Sequence, residues 1–380
     1  MAPVPILLTV RELDQGGCER DLTKLALHID RSRFEPHVAC FLPDGIRGEE
    51  LSRAGIPVKA LPVRSFRSYS ALAGAAAMRR YLRAHGIQLM QAFDVPLSVF
   101  SAPVGRWAGT PVVLTSQLSF RHLAGPMMHR LTQWSDRLAD GVVVNCQAMQ
   151  RHVTADEGVR EDRVHLCYNG IDTALFQPRP RRRLPFFPET SLVVGEVCAL
   201  RPEKGLVTLL EGFALAVRRE PGLRLLLVGS GAMRERLEAE AQRLAIRELC
   251  HFEPAVSDVA SWLQAIDIFV LPSLSEALSN GLMEAMACGC ACIASEVGGN
   301  PELIREGETG LLFPAADAEA LAARITQLTG NPQLRRTLGE AASASIRRDF
   351  SLAAYTRRME ELYTAQLAAK AARGGDRGKR

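Results

Sequence analysis

Short apolar runs rich in β-branched residues recur along the whole chain, each bounded by turn residues and followed by a longer stretch with helical spacing. That alternation predicts repeated βα units, because strands buried on both faces read as continuous apolar runs and need crossover helices to join them in parallel. In the first half the expected strands are residues 5–10, 37–41, 87–93, 111–115, 141–145 and 164–167. In the second half they are 192–198, 223–228, 250–253, 267–271, 290–294 and 311–313. The fold class is therefore α/β, with two Rossmann-like, doubly wound parallel-sheet domains. Between the halves, Gln177 to Pro185 is crowded with proline and arginine. Prolines stop regular structure and charges resist burial, so a linker is expected there. The expected division is a first domain over 1–176, a linker over 177–190, a second domain over 191–350, a helix over 351–370 and a disordered basic tail over 371–380. Two such domains facing one another would bring the carboxyl ends of both sheets to one central cleft, where open parallel sheets bind ligands. Chemistry is accordingly sought in the loops that follow strands.

The chain has 380 residues, 47% of them apolar, enough for a core in each half and too much for a disordered chain. It holds no window of eighteen apolar residues, and the run Ile6 to Val10 is too short for a secretory signal, so a cytoplasmic location is expected. Nine cysteines without regular pairing fit a reduced compartment. Cys288, Cys290 and Cys292 alternate as buried strand residues do, without the two-residue spacer of a thiolate metal site. A net charge of +4 is too small to imply nucleic acid as a partner. Its distribution is uneven: residues 51–93 hold Arg53, Lys59, Arg64, Arg67, Arg79, Arg80 and Arg83 and no Asp or Glu. Such a face suits peripheral contact with an anionic membrane or an anionic acceptor, or is a solvated helix surface.

Three loops could handle phosphate. Gly16 and Gly17 follow the first strand and open a helical pattern, which lets backbone amides approach an anion at the positive end of a helix, or simply permits tight packing. In the second half, Arg201-Pro202-Glu203-Lys204-Gly205 places a guanidinium fork and an ammonium on one strand-to-helix turn, where both could grip a diphosphate or both could be ordinary surface charges. Gly229 and Gly231 follow the next strand, but Arg234 stands where a dinucleotide fingerprint requires its third glycine, which argues against a dehydrogenase.

A pair of carboxylates is more telling. Ser279 is a good cap for a helix opening at Asn280, and Gly289 ends it. Glu276 precedes that helix and Glu284 lies about a turn inside it, so the two flank its amino terminus, where the amides of Asn280, Gly281 and Leu282 are expected to face a ligand. Carboxylates would repel a bare phosphate. They suit a ligand with hydroxyls at both ends and a diphosphate between, which describes a nucleotide-sugar. A solvated loop charge and a helix-surface charge are the plainer alternatives for Glu276 and Glu284.

In this order, Gly16-Gly17-Cys18-Glu19-Arg20, Asn169-Gly170-Ile171-Asp172, Arg201 to Gly205, the Glu276-x7-Glu284 element and Val297-Gly298-Gly299-Asn300-Pro301-Glu302 resemble the retaining glycosyltransferases of family four, group 1, whose fold is GT-B. The resemblance implies diphosphate contact from Arg201 and Lys204, donor-sugar contact from Glu276 and ribose contact from Glu284. It also implies that Gly16 and Gly17 border the phosphate and sugar from the opposite domain. Asn300-Pro301-Glu302 reads locally as a helix start with Asn300 as its cap. With Gly229 on a neighbouring loop, the donor set is Gly16, Gly17, Gly229, Asn280, Gly281, Leu282 and Glu284, and the catalytic set is Arg201, Lys204 and Glu276.

One departure bears on mechanism. Many relatives carry Thr-x-His at the end of the fourth strand of the first domain, and here Thr115-Ser116-Gln117 puts an amide at that place. Gln117 cannot accept a proton as a base; His122 follows it, and Asp94 follows the preceding strand, so these three are the acceptor-side candidates. The expected reaction is sugar transfer from a nucleoside diphosphate to an acceptor hydroxyl of a glycan or lipid-linked saccharide. Anomeric configuration is retained, and the leaving phosphate takes the acceptor's proton. No metal or other cofactor is expected, because the chain has no Asp-x-Asp and two fixed cations can neutralise the diphosphate. A nucleotide-sugar epimerase and a non-catalytic nucleotide-sugar-binding protein are the alternatives on the same architecture. The final helix either packs on its own domain or, as the resemblance implies, crosses back to the first.

Overall fold

The computed structural model describes residues 2–14, 16–120 and 125–377. The chain forms two compact units, one of Met1–Gly170 with Leu352–Arg380 and one of Ile171–Ser351.

The first unit is a seven-stranded sheet in the order β3-β2-β1-β4-β5-β6-β7, with every pairing parallel. Its strands are β1 (Val4–Thr9), β2 (Phe34–Cys40), β3 (Val58–Ala60), β4 (Leu89–Ala92), β5 (Val112–Gln117), β6 (Gly141–Val144) and β7 (Val164–Leu166). The helices are α1 (Gly17–His28), α2 (Ile46–Arg53), α3 (Tyr69–Ala84), α4 (Val95–Ala108), α5 (Pro126–Leu138) and α6 (Gln147–Ala155). The period of two along β1 sends Ile6 and Leu8 into the core on one face and Leu7 into the core on the other. Burial on both faces is why the strands lack polar alternation. The edge strand β3 was not expected; three residues with no fully buried side chain give no apolar run to recognise.

The second unit has six parallel strands in the order β10-β9-β8-β11-β12-β13. They are β8 (Leu192–Val197), β9 (Leu223–Val228), β10 (Cys250–Glu253), β11 (Ile268–Leu271), β12 (Ala291–Ser295) and β13 (Leu311–Phe313). Helices α7 (Leu206–Val217), α8 (Arg234–Arg243), α9 (Val259–Leu263), α10 (Asn280–Ala287), α11 (Asn300–Leu303), α12 (Ala318–Thr329) and α13 (Pro332–Asp349) follow the strands. Cys292 lies on β12 as expected, whereas Cys288 caps the carboxyl end of α10, so the cysteine alternation is not that of one strand.

Two other expectations are corrected. Residues 177–190 are not a free linker: they pack on the second unit. The Arg181 guanidinium meets Asp267 at 2.7 Å, Leu184 is buried, and Phe186 stacks on His251 with ring centroids 3.7 Å apart. A proline- and arginine-rich composition reads as solvated only while its carboxylate and aromatic partners, distant in sequence, are unknown. Residues 371–377, expected as a disordered tail, continue the last helix α14 (Leu352–Arg377), and 378–380 lie outside the described residues.

Helix α14 belongs to the first unit. Its Tyr355, Met359 and Tyr363 join the core that holds Ile6, Leu8 and Val38. The Tyr363 hydroxyl donates to Gln91 Oε1 at 2.5 Å, and Glu360 pairs with Arg33 at 3.1 Å. Among the described residues no helix is long and apolar enough to cross a membrane. Replacing Tyr363 with Ala should destabilise the first unit by about 3–5 kcal/mol, since a fully buried aromatic is lost and the Gln91 amide loses its donor. Denaturant unfolding followed by circular dichroism measures this, and a loss below about 1 kcal/mol would show that α14 does not hold that core together.

Candidate active site

In a parallel sheet, ligands collect where neighbouring strands send their crossovers to opposite sides, at the carboxyl ends of the two strands. In the second sheet that place lies between β8 and β11. The loop after β8 carries Lys204 at the end of a short 3-10 turn, Pro202–Lys204, and the loop after β11 carries Glu276. Their side chains meet, with Lys204 Nζ 2.6 Å from Glu276 Oε2, and Ser273 Oγ donates to the same oxygen at 3.1 Å. Both charged side chains are mostly buried, at 19% and 15% exposure. Burial alone would lower the Lys204 pKa, but the neighbouring acidic groups, Glu276 first among them, together raise it.

Two glycines fix this geometry. Gly205 (φ +63°) lies against the Pro272 carbonyl, and Gly298 (φ +53°), on the loop after β12, lies against the Glu276 carbonyl; neither leaves room for a Cβ. The loop bearing Glu276 is thus clamped from both neighbours, helped by hydrogen bonds from Leu274 N to Glu203 O at 2.8 Å and from Gly299 N to Ala277 O at 2.6 Å. Helix α10 then starts as the sequence suggests. Ser279 caps it by accepting from Leu282 N at 3.2 Å, which takes up one of the three amides expected to face a ligand. Gly281 sits over the end of β8, where an added Cβ would be 3.3 Å from Val197 O. Glu284 is buried at 3% exposure, so it is not a helix-surface charge.

Arg201 is placed differently from Lys204. It precedes the same turn, but its side chain is 66% exposed and its ion pair is with Glu203 at 3.9 Å. Gly229 packs against the Cys198 carbonyl, next to the loop that carries Lys204. Asn300, expected to cap α11, is its first residue instead; Gly299 is the cap, and Asn300 Nδ2 donates to Ser295 O at 3.0 Å.

The sequence did not point to Glu196. It lies inside β8, fully buried, with the Cys198 thiol beside its carboxylate. Burial pushes its pKa up to about 8, with Glu276 adding to the rise and Lys204 opposing it. Two buried acids thus stand beside one ammonium, and burial favours the protonated form of Glu196. An acid inside a run of Val and Gly was the available signal, since strands buried on both faces rarely carry one.

The first unit holds its own candidates at the corresponding switch between β1 and β4. Asp94 caps α4, accepting from Leu97 N at 2.8 Å and from Arg11 N at 2.5 Å. Burial raises its pKa to about 6 in spite of those two amides. Gly16 precedes α1, and the carboxylate of Glu19 folds back against it, so an acid already lies at the start of that helix. Gln117 is buried at the end of β5, its amide nitrogen donating to Glu157 Oε1 at 3.1 Å; that oxygen also lies 3.3 Å from His152 Nε2. His122 lies outside the described residues.

Two parallel-sheet α/β units, each with polar groups gathered at its switch point, are the architecture that the GT-B glycosyltransferases share. The family model described as Glycosyltransferase Family 4 matches residues 15–175, and that described as glycosyl transferases group 1 matches residues 181–345. The chain belongs to this glycosyltransferase family. It is 33% identical over 247 residues to a D-inositol 3-phosphate glycosyltransferase of Thermomonospora curvata, covering 60% of this chain and 57% of that one. It is 30% identical over 203 residues to an N-acetyl-alpha-D-glucosaminyl L-malate synthase of Bacillus anthracis, covering 53% of each. The chain thus spans little more than half the length of these curated relatives. Among solved structures, Anabaena Alr3699/HepE in complex with UDP and glucose shares the fold with a TM-score of 0.84, at 24% identity, over 95% of this chain and 100% of that one.

Glu196 gives a pH-dependent prediction. Its folded pKa lies above the ordinary carboxyl value, so its contribution to stability is full below about pH 4.5 and is lost as pH rises through about 8. Glu196→Gln should flatten that decline, which amounts to a few kcal/mol at about 1.4 kcal/mol per pKa unit. Denaturant unfolding at pH 5.5 and pH 8 checks it. Equal pH slopes for parent and variant would mean that Glu196 is ionised in the folded chain.

Proposed function

We propose that this chain transfers a sugar from a nucleoside diphosphate-sugar to an acceptor hydroxyl with retention of anomeric configuration. The observation that carries the reading is the Lys204–Glu276 pair at the switch point of the second sheet, beside the amino terminus of α10. Lys204 supplies the fixed positive charge for the diphosphate, and Arg201, exposed on the same turn, turns to it when the donor enters. Glu276 exchanges its ammonium partner for donor-sugar hydroxyls, and Glu284 takes the ribose hydroxyls. The UDP named with the Anabaena structure supports a uridine nucleotide as the donor base.

As the bond to the sugar breaks, negative charge grows on the leaving diphosphate, and fixed donors in a site shielded from water stabilise that charge more than they stabilise the ground state. The leaving phosphate accepts the acceptor's proton. That step suits Gln117, which has no basic atom to take it. In this reading Lys204 and Arg201 do the neutralising work and no metal is required. A glycan or lipid-linked saccharide as acceptor would bring the chain to the cytoplasmic face of a membrane, and the acid-free segment 51–93 supports that contact.

Incubation with a panel of nucleotide-sugars, followed by mass spectrometry, should show release of nucleoside diphosphate that persists after chelation. Isomerised sugar without release would identify an epimerase, and binding with neither would identify a sensor. Lys204→Ala should lower kcat/KM by roughly a hundredfold or more, the loss typical of one donor acting on developing charge. Arg201→Ala should act in the same direction. Variants that turn over donor like the parent would contradict the proposal.

A further inference from the structure

Helix α3 presents a face that the donor chemistry leaves unused. Gly74, Met78 and Leu82 are its buried residues, whereas Tyr69, Leu72, Ala76, Arg80 and Arg83 are exposed. At about 100° per residue these five and the half-buried Arg79 fall within one arc of roughly 100°. The stripe is apolar in its first half, where Tyr69 is 89% exposed and Leu72 69%, and cationic in its second.

Neighbouring elements extend both characters. Trp107 of α4 is 54% exposed and lies under the Arg79 guanidinium, 4.3 Å from its carbon to the ring centroid. Arg83 is anchored by its Nε, which donates to Ala108 O at 3.2 Å. Ala76, Arg79, Arg80, Arg83 and Trp107 line a shallow pocket of about 520 Å³. The preceding loop adds exposed Arg64, Phe66 and Arg67. Helix α2, which precedes it in the chain, shows what neutralised arginines look like in this unit: Arg47 pairs with Glu50 at 2.7 Å and Arg53 with Glu49 at 2.5 Å. On α3 no acid is available from its own segment, because residues 51–93 contain none.

We propose that this face of α3 seats the chain on an anionic lipid bilayer, with Arg79, Arg80 and Arg83 among the headgroup phosphates and Tyr69 and Leu72 at the boundary with the acyl chains. The combination selects the occupant. A soluble polyanion would use the cations but gain nothing from Tyr69 and Leu72, whereas a bilayer surface engages both at once. A second copy of the same face would repel the first through its like charges. The inference deepens the reading of the acceptor as membrane-borne and rests on it only for its purpose, since the surface chemistry stands on the residues of α3 alone.

Sedimentation of the full chain with extruded vesicles tests it, comparing phosphatidylglycerol-containing with purely phosphatidylcholine vesicles at low and high salt. Binding should require the anionic lipid and weaken with salt. The triple variant Arg79→Ala, Arg80→Ala, Arg83→Ala should bind roughly a hundredfold more weakly, at about fivefold per arginine near an anionic surface. Tyr69→Ser with Leu72→Ser should also weaken vesicle binding while leaving retention on a heparin column unchanged. Three results would overturn the proposal: no binding of the parent to anionic vesicles, vesicle binding indifferent to Tyr69→Ser with Leu72→Ser, or a concentration-dependent dimer abolished by the arginine variants. Release of nucleoside diphosphate from a soluble donor should be unchanged in both variants. That release reports on the transferase reading independently of the vesicles, so failure of either can be told from failure of the other.

Discussion

A buried ion pair between two loops organises the second unit. Lys204 and Glu276 come from the crossovers that leave β8 and β11 in opposite directions, and they meet at 2.6 Å. Burying two opposite charges is costly unless their geometry is good and their remaining atoms are satisfied. Here Gly205 and Gly298 press the intervening loop into place, and Ser273 adds a hydrogen bond. Under the proposed function the pair serves as preorganisation: a lysine held by a carboxylate that can leave it is already in place for another anion.

Glu196 adds a second feature to the same corner. Burial favours the protonated form of Glu196, which makes the corner less negative than two ionised glutamates and a lysine would. The polar groups of the first unit behave differently. Asp94 and Gln117 are already bonded to amides and to Glu157, so they brace the ends of β4 and β5 where they stand.

Much of this was legible in the chain. Among the described residues, apolar runs located twelve of the thirteen strands, missing only β3, whose three residues bury no side chain fully. Ser279 and Gly289 marked the ends of α10 because capping chemistry is local. The meeting of Lys204 with Glu276, 72 positions apart, was hinted at only by both residues following strands. What composition misread depended on distant partners. Arg181 looked solvated until Asp267 appeared beside it, and the last helix gave no sign from its own spacing of which sheet its tyrosines would cover. Glu196 was hidden by the opposite error, since a single acid in an apolar run looks like an interruption when read one residue at a time.

The central claim is that the Lys204 ammonium is the fixed charge for a donor diphosphate. A crystal structure of the chain soaked with a UDP-sugar tests it most directly. The account predicts diphosphate oxygens within hydrogen-bond reach of Lys204 Nζ, with Glu276 turned from the lysine to the sugar hydroxyls. An intact Lys204–Glu276 pair with the nucleotide bound elsewhere would contradict it.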